Sequence, residues 1–309
     1  LPFDHLFDAS SRFMRLVLGQ TKLRGMGAAA AAMLFMAACG DDEKPVTDGG
    51  VLDSSNGDAQ VVTDGGVTTT FKLGVLHAVV GAPPVDVFAG TTEVVDNLAF
   101  GGLANVTPST EVGPLDVFAH TAGNGRPAGD PLFSVTPTGV TPGASVLAIA
   151  NGDIDTNTPA NVAPVISVFV NGFETDAANA RLRVVHASPD APSPVSVGTR
   201  LNETATAIQT PLLVSSLAFR ADSGVQGVQV PPLQAPGAFL GVGGAANSTT
   251  AAVRFQTTGA LPAGLQAYVI AAGSTNVAAA AGQRIRLLVV GVNTDGTFAE
   301  PAAILPIAN

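Results

Sequence analysis

The strongest constraint on how this chain can fold is a stretch that it carries twice. Leu76-His77-Ala78-Val79-Val80-Gly81-Ala82-Pro83-Pro84-Val85-Asp86-Val87 returns as Val185-His186-Ala187-Ser188-Pro189-Asp190-Ala191-Pro192-Ser193-Pro194-Val195-Ser196-Val197. In each copy an apolar run reaches a His-Ala pair, breaks at Ala-Pro and resumes as Val-x-Val. Proline fixes φ and has no amide to donate, so each break reads as a turn between two strands. Side chains alternate along a strand, which puts Phe71, Leu73, Val75 and His77 on one face of the first copy. Leu182, Val184 and His186 share a face of the second, with Arg181 and Arg183 opposite. A histidine at an inward strand end, twice over, reads as a core residue whose ring nitrogen bonds a backbone group of the following turn. His77, Ala82, Pro83, His186, Asp190, Ala191 and Pro192 are therefore expected to form a repeated structural motif. Asp190 is expected to bond backbone amides inside its own turn, 188–192.

Further anchors keep the same order in both copies. Leu98-Ala99-Phe100 matches Leu217-Ala218-Phe219, and Gly143 to Gly152 matches Gly264 to Gly273 at equal internal spacing. Preserved order with drifting offsets is what duplication with loop insertions leaves behind, the extra length of the second copy falling around Asn202 to Leu213. Between anchors, short alternating or fully apolar segments (85–89, 115–120, 145–150, 166–170, 252–256, 285–292) are separated by Gly, Pro and Asn clusters. Charged residues make up only 12% of the chain, and no long amphipathic helix interrupts these segments. The predicted class is all-β: two tandem Ig-like antiparallel β-sandwich domains, residues 70–176 and 177–309.

The sole cysteine says how such domains are presented. Arg15, Lys22 and Arg24 precede an alanine-rich stretch and the run Met33-Leu34-Phe35-Met36-Ala37-Ala38-Cys39-Gly40. A basic segment, an apolar core of about 7–15 residues and small residues before a cleavage point make a secretory signal, whereas a membrane span needs about 20 apolar residues. The run resembles a bacterial lipoprotein signal, with Ala37, Ala38 and Cys39 matching the lipobox and Met36 where leucine is usual. The resemblance implies cleavage before Cys39 and acylation of its thiol. Residues 14–38 are thus expected to be the signal peptide, and 1–13, with Asp4 and Asp8 ahead of a basic region, an upstream extension before a true start at Met14. Residues 39–69 are rich in Asp, Gly, Ser and Thr and bury too little apolar surface to offset the entropy of ordering, so a disordered acidic tether spanning roughly 30 Å is expected. The echo of 46–51 in 62–67 lacks the regular nonapeptide period of a calcium-binding array and reads as part of that tether. Gly40 rather than Asp after the cysteine, by analogy with Gram-negative envelopes, points to the outer membrane, facing outside the cytoplasm.

A family resemblance rests on the second copy. Leu182-Arg183-Val184-Val185-His186-Ala187-Ser188-Pro189-Asp190-Ala191-Pro192 resembles the opening of DUF4397, a bacterial extracytoplasmic domain of unknown function often found in tandem in lipoproteins and cell-surface proteins. Ala263-Gly264 followed by Tyr268-Val269-Ile270 resembles that family's second recurring segment. The first copy has Val79-Val80-Gly81 in place of Ser-Pro-Asp but keeps Val85-Asp86-Val87-Phe88, which the second has as Val195-Ser196-Val197-Gly198. The resemblance covers about residues 70–309, implies a sandwich fold and a surface location, and supplies no catalytic residues.

Chemistry is sparse in the sequence. A formal net charge of -10 without a Lys/Arg cluster argues against nucleic acid. The expected mature chain has only His77, His120 and His186, two of them at equivalent points of separate copies, so no metal site and no cofactor are expected. Asn151 to Asn157 begins like a calcium loop from Asp153, but Thr158 and Pro164 stand where a glycine and an acid are needed, so it reads as a polar hairpin loop. No Gly-x-Ser-x-Gly elbow or phosphate-binding loop appears. There is no Trp, and the one tyrosine, Tyr268, falls in a core strand, which argues against a sugar-stacking platform. The expected function is that of an envelope-anchored lipoprotein, held to the membrane through a lipid on Cys39, with a non-catalytic binding, adhesive or structural role toward a surface protein or polysaccharide. The alternatives are a hydrolase with a site near His186 and Asp190 between the copies, or a passive spacer.

Overall fold

Two unbroken apolar runs decide the architecture. In the computed structural model, β1 (Lys72–Val80) and β7 (Ser145–Asp153) are buried along almost their whole length. They pair in parallel, with Leu73 opposite Val146 and His77 opposite Ala150. β4 (Leu103–Val106) joins the free edge of β1 and β8 (Val165–Val170) that of β7, both antiparallel, giving the order β4-β1-β7-β8. A second sheet is antiparallel throughout, with β2 (Val85–Ala89) and β5 (Leu115–Ala119) flanked by β3 (Thr92–Leu98) and β6 (Phe133–Val135) in the order β3-β2-β5-β6. The structure describes residues 71–309 except 107–113, 121–125, 137–140, 142, 155–161, 233–238, 258–260, 277–278 and 308–309. The expected signal peptide, Cys39 and the expected acidic tether lie outside the described residues.

The second half repeats this order. β9 (Ala180–Ala187) and β15 (Gln266–Ala272) form the parallel pair, with Leu182 opposite Ala267 and His186 opposite Ala271. β12 (Val228–Val230), β16 (Arg286–Gly291) and β17 (Ala302–Ile304) complete the sheet β12-β9-β15-β16-β17. The antiparallel partner sheet is β11-β10-β13-β14, built from β10 (Val195–Thr199), β11 (Val214–Leu217), β13 (Phe239–Gly243) and β14 (Ala251–Gln256). The only helical element among the described residues is a 3-10 turn at Ala281–Gln283. The chain is thus all-β and sandwich-like, with one correction to the expectation of purely antiparallel sheets: each inner sheet is centred on a parallel pair.

Each half has its own core. Leu73, Val75, Val79, Val85, Val87, Val117, Val146 and Ala148 pack between the two sheets of the first half. Leu182, Leu240, Phe255, Val269 and Leu287, with a satellite around Val184, Val195 and Val197, do so in the second. A further cluster crosses between the halves, joining Leu76, Ala78, Leu147, Ile149 and Phe169 to Val185, Tyr268, Ile270, Leu288, Val290 and Phe298. The second faces of β1 and β9 therefore both enter this shared layer, and Arg183 is buried there with its guanidinium over the rings of Phe169 and Tyr268. Each fully buried Leu, Ile or Phe in such a layer contributes about 1.5–3 kcal/mol. Polar groups fix the register. The Asn105 amide donates to Phe298 O at 2.7 Å and accepts from Phe298 N at 2.9 Å. Gln283 accepts from Gly81 N at 2.8 Å and donates to Ala82 O at 3.0 Å. Arg183 donates to Val170 O at 2.7 Å. Gly74 leaves room for the Phe298 ring, since a Cβ there would stand 2.5 Å from Cδ2.

Candidate functional site

The duplicated histidines occupy matching structural positions. His77 Nε2 donates to Pro83 O at 3.2 Å, and His186 Nε2 donates to Pro192 O at 3.2 Å. A carbonyl only accepts, so the proton sits on Nε2, and in the first copy the bare Nδ1 accepts from Val79 N at 3.4 Å. Phe100 and Phe219 lie edge-on to the two rings. Burial disfavours the imidazolium, pushing His77 down to about 4 and His186 in the same direction. Ala82 and Ala191 follow Gly81 and Asp190, and here the copies diverge. Asp190 accepts from Thr275 N at 2.8 Å, Asn276 N at 3.1 Å and the Ser274 hydroxyl. Its amide partners thus lie in the turn after β15 and not inside 188–192, because β15 pairs in parallel with β9 up to Ala187 opposite Ala272 and so brings that turn beside it; Gly81, its counterpart in the first copy, is bonded across the fold by Gln283. His186 and Asp190 are each committed to a different partner. The Asn151 side chain donates to Ile149 O and Ser167 Oγ and accepts from Arg220, and residues 155–161 of the candidate calcium loop lie outside the described residues.

A different group of side chains gathers on the outer face of the sheet β3-β2-β5-β6. Val85 and Val87 of β2 and Leu115 and Val117 of β5 point into the core, so Asp86, Phe88, Asp116 and Phe118 point the other way. The pairing register sets Asp86 beside Phe118 and Phe88 beside Asp116, a checkerboard of two acids and two aromatics, all at most 5% exposed. The two rings meet edge to face at 5.6 Å. Arg126 lies over this layer, its guanidinium 2.7 Å from Asp116 Oδ2 and 5.2 Å from the centroid of Phe118. At the other corner His120 Nδ1 donates to Asp86 Oδ1 at 2.7 Å and stands 3.3 Å from Asp96 Oδ1. The backbone of Asn97 donates to the same Asp86 oxygen at 2.8 Å and fixes that carboxylate. Accepting from Nδ1, Asp86 raises the imidazolium of His120 above the ordinary histidine range, and the charges of Asp96 and Glu93 add to it. One ligating atom from each of Asp86, Asp96 and His120 lies within 4.8 Å of the others, a convergence that the spacing of the histidines along the chain does not reveal.

The second half serves as an internal comparison. Ser196 pairs with Gly243 and Gly198 with Gly241, as Asp86 pairs with Phe118 and Phe88 with Asp116. The positions of the four checkerboard residues are therefore held by Ser196, Gly198, Gly241 and Gly243. The connection 200–213 lies across this face. Ile208, itself buried, seats on Gly198 and Gly241, where a Cβ would stand 2.5 and 2.9 Å from its side chain. Ile208 N donates to Thr249 O and Gln209 N to Thr199 O, so the segment is stitched down at both edges. In the first half β2 and β3 are joined by Gly90 and Thr91 alone, so that connection lays no segment across the face.

The geometry defines an all-β, sandwich-like protein with one polar outer face. Residues 71–197, from the entry of β1 into β10, match the family model of DUF4397, a domain of unknown function. No curated protein matches the chain. Sequence reasoning found the histidine turns and missed the outer face. The signal was there: Val85-Asp86-Val87-Phe88-Ala89 is echoed by Leu115-Asp116-Val117-Phe118-Ala119, and an acid between two apolar residues in adjacent strands marks a shared outward row.

Proposed function

We propose that this is an envelope-anchored lipoprotein, attached through an acylated Cys39, whose two halves are tandem Ig-like copies of one domain and whose outer face on β2 and β5 engages a partner at the cell surface. The observation that carries the binding reading is the difference between the two equivalent faces. One is glycine-rich and covered by its own insertion, while the other displays Asp96, His120 and Arg126 above buried acids and aromatics. A fold that tolerates Ser and Gly at these positions does not need Asp and Phe there for stability alone. The matching strand order and register of the halves support the tandem reading, the signal-like run ending in Cys39 supports anchorage, and Gly40 after it supports presentation at the outer membrane. No described helix is long and apolar enough to cross a membrane.

Intact mass of the membrane-extracted protein, compared with a Cys39→Ala variant, tests the anchor. A chain starting at Cys39 with added acyl mass, lost in the variant, is the expected result. An unmodified chain released to the soluble fraction in both would overturn it.

A further inference from the structure

We propose that Asp86, Asp96 and His120 form a binding site for a divalent transition-metal ion at the corner of the outer face. Two carboxylates and an imidazole are the donor set that zinc and its neighbours accept, and three protein ligands leave a position open for a partner's atom or water. Ligands of a tetrahedral ion at about 2.0–2.2 Å stand roughly 3.3–3.6 Å apart. His120 Nδ1 already lies 2.7 Å from Asp86 Oδ1 and 3.3 Å from Asp96 Oδ1, so loading opens the first pair by about 0.6–0.9 Å and the second by at most about 0.3 Å. The three residues come from β2, from β3 and from the end of β5, which pair side by side, and the His120 amide is held by Pro84 O at 2.8 Å. Asp86 is 2% exposed and fixed by the Asn97 amide, which makes it the rigid ligand, while the Asp96 side chain is largely exposed and opens the site to solvent. On loading, the Nδ1 proton now given to Asp86 leaves to Nε2 or to solvent, and the freed lone pair takes the metal.

The second half shows that the fold does not require this set. Its Val-x-Val strand has Ser196 for Asp86, and aligning Val214-Ser215-Ser216-Leu217 with Val95-Asp96-Asn97-Leu98 gives Ser215 for Asp96. Continuing β13 from Gly243, the counterpart of Phe118, gives Ala245 for His120. All three ligating groups are replaced together by groups too short or too inert to ligate, while the strands that hold them keep their pairing.

The site's role rests on the binding reading of this face, but its test uses the metal alone. Zn2+ is titrated calorimetrically into the purified full chain in a Cys39→Ala background, so that no thiol competes, alongside Asp96→Asn and His120→Ala variants. Asp96 is exposed and its substitution leaves the fold intact, which circular dichroism verifies. The expected result is one saturable equivalent in the parent and at least about a tenfold loss of affinity in each variant, with the 15N shift of the His120 ring moving on loading. Absence of binding, or binding of equal affinity in the variants, would overturn the proposal. Zinc binding without any envelope partner would leave the site standing even if the surface role failed.

Discussion

Replacing Phe298 by alanine strikes the layer that joins the two halves. The ring is 2% exposed, rests on Gly74 of β1 and stands edge-on to Tyr268 at 6.1 Å. Truncating a buried phenylalanine costs about 3–5 kcal/mol, from lost burial plus the cavity left behind. Total stabilities are only about 5–15 kcal/mol, so the loss is easily read. The chain supplies its own reporter: it has no tryptophan, and its one tyrosine, Tyr268, is fully buried in this layer. Urea unfolding followed by tyrosine fluorescence reads the junction, and far-UV circular dichroism reads all four sheets. Residues 63–309 form one compact unit, so both probes are expected to give a single coincident transition, displaced equally by Phe298→Ala. Gly74→Ala supplies the cross-check, because its added methyl collides with the ring in the parent, at a cost of about 1–3 kcal/mol, and meets empty space in Phe298→Ala. A loss below about 1 kcal/mol, or a shift confined to one phase while the other stays put, would refute a shared core.

Acid should weaken the fold through the histidine turns. With His77 held down at about 4 against an ordinary 6.5, the unfolded chain binds a proton that the folded one refuses, so its stability contribution is full above about pH 6.5 and falls away toward pH 4. Between pH 7 and pH 5 the loss from His77 amounts to about 2 kcal/mol, His186 acts in the same direction, and a His77→Gln variant should show a shallower slope in chemical denaturation. Asp222→Ala strands the buried Arg183 guanidinium, which it receives through two nitrogens, and should cost about 3 kcal/mol by urea titration. Asp190→Ala removes the acceptor for the 274–276 turn and should cost about 1–3 kcal/mol while raising amide exchange at Thr275 and Asn276.

The parts of the fold that repeat along the chain were legible from it. The His-Ala-Pro turns and the strands leading to them could be read because proline and alternation act locally, and both turns carry the same histidine-to-proline bond. The junction between the halves was hidden for a physical reason. Runs such as Val146 to Ala150 are apolar on both faces, which marks a doubly covered strand, but nothing local says whether the second face meets a neighbour in the same half or another copy. Nor does pattern alone distinguish a parallel from an antiparallel partner, since β1 and β7, whose paired positions such as 72 and 145 lie 73 residues apart, are separated in the chain by the strands of the second sheet. Asp190 illustrates the same limit, its partners being more than eighty residues away. The outer face was hidden differently. Asp86 and Asp96 sit on neighbouring strands whose register shifts at bulges, and only that shifted pairing brings both to His120.

The most direct test of the account is whether the outer face of the first half binds the envelope it is proposed to serve. Purified full-length Cys39→Ala protein, which lacks the anchor, is incubated with isolated envelope material of the parent organism and sedimented, with Asp96→Ser and His120→Ala carried in one variant and Ser215→Ala in another. The account predicts saturable co-sedimentation that the first variant loses and the second retains. Equal binding by all three, or none by the parent, would contradict it.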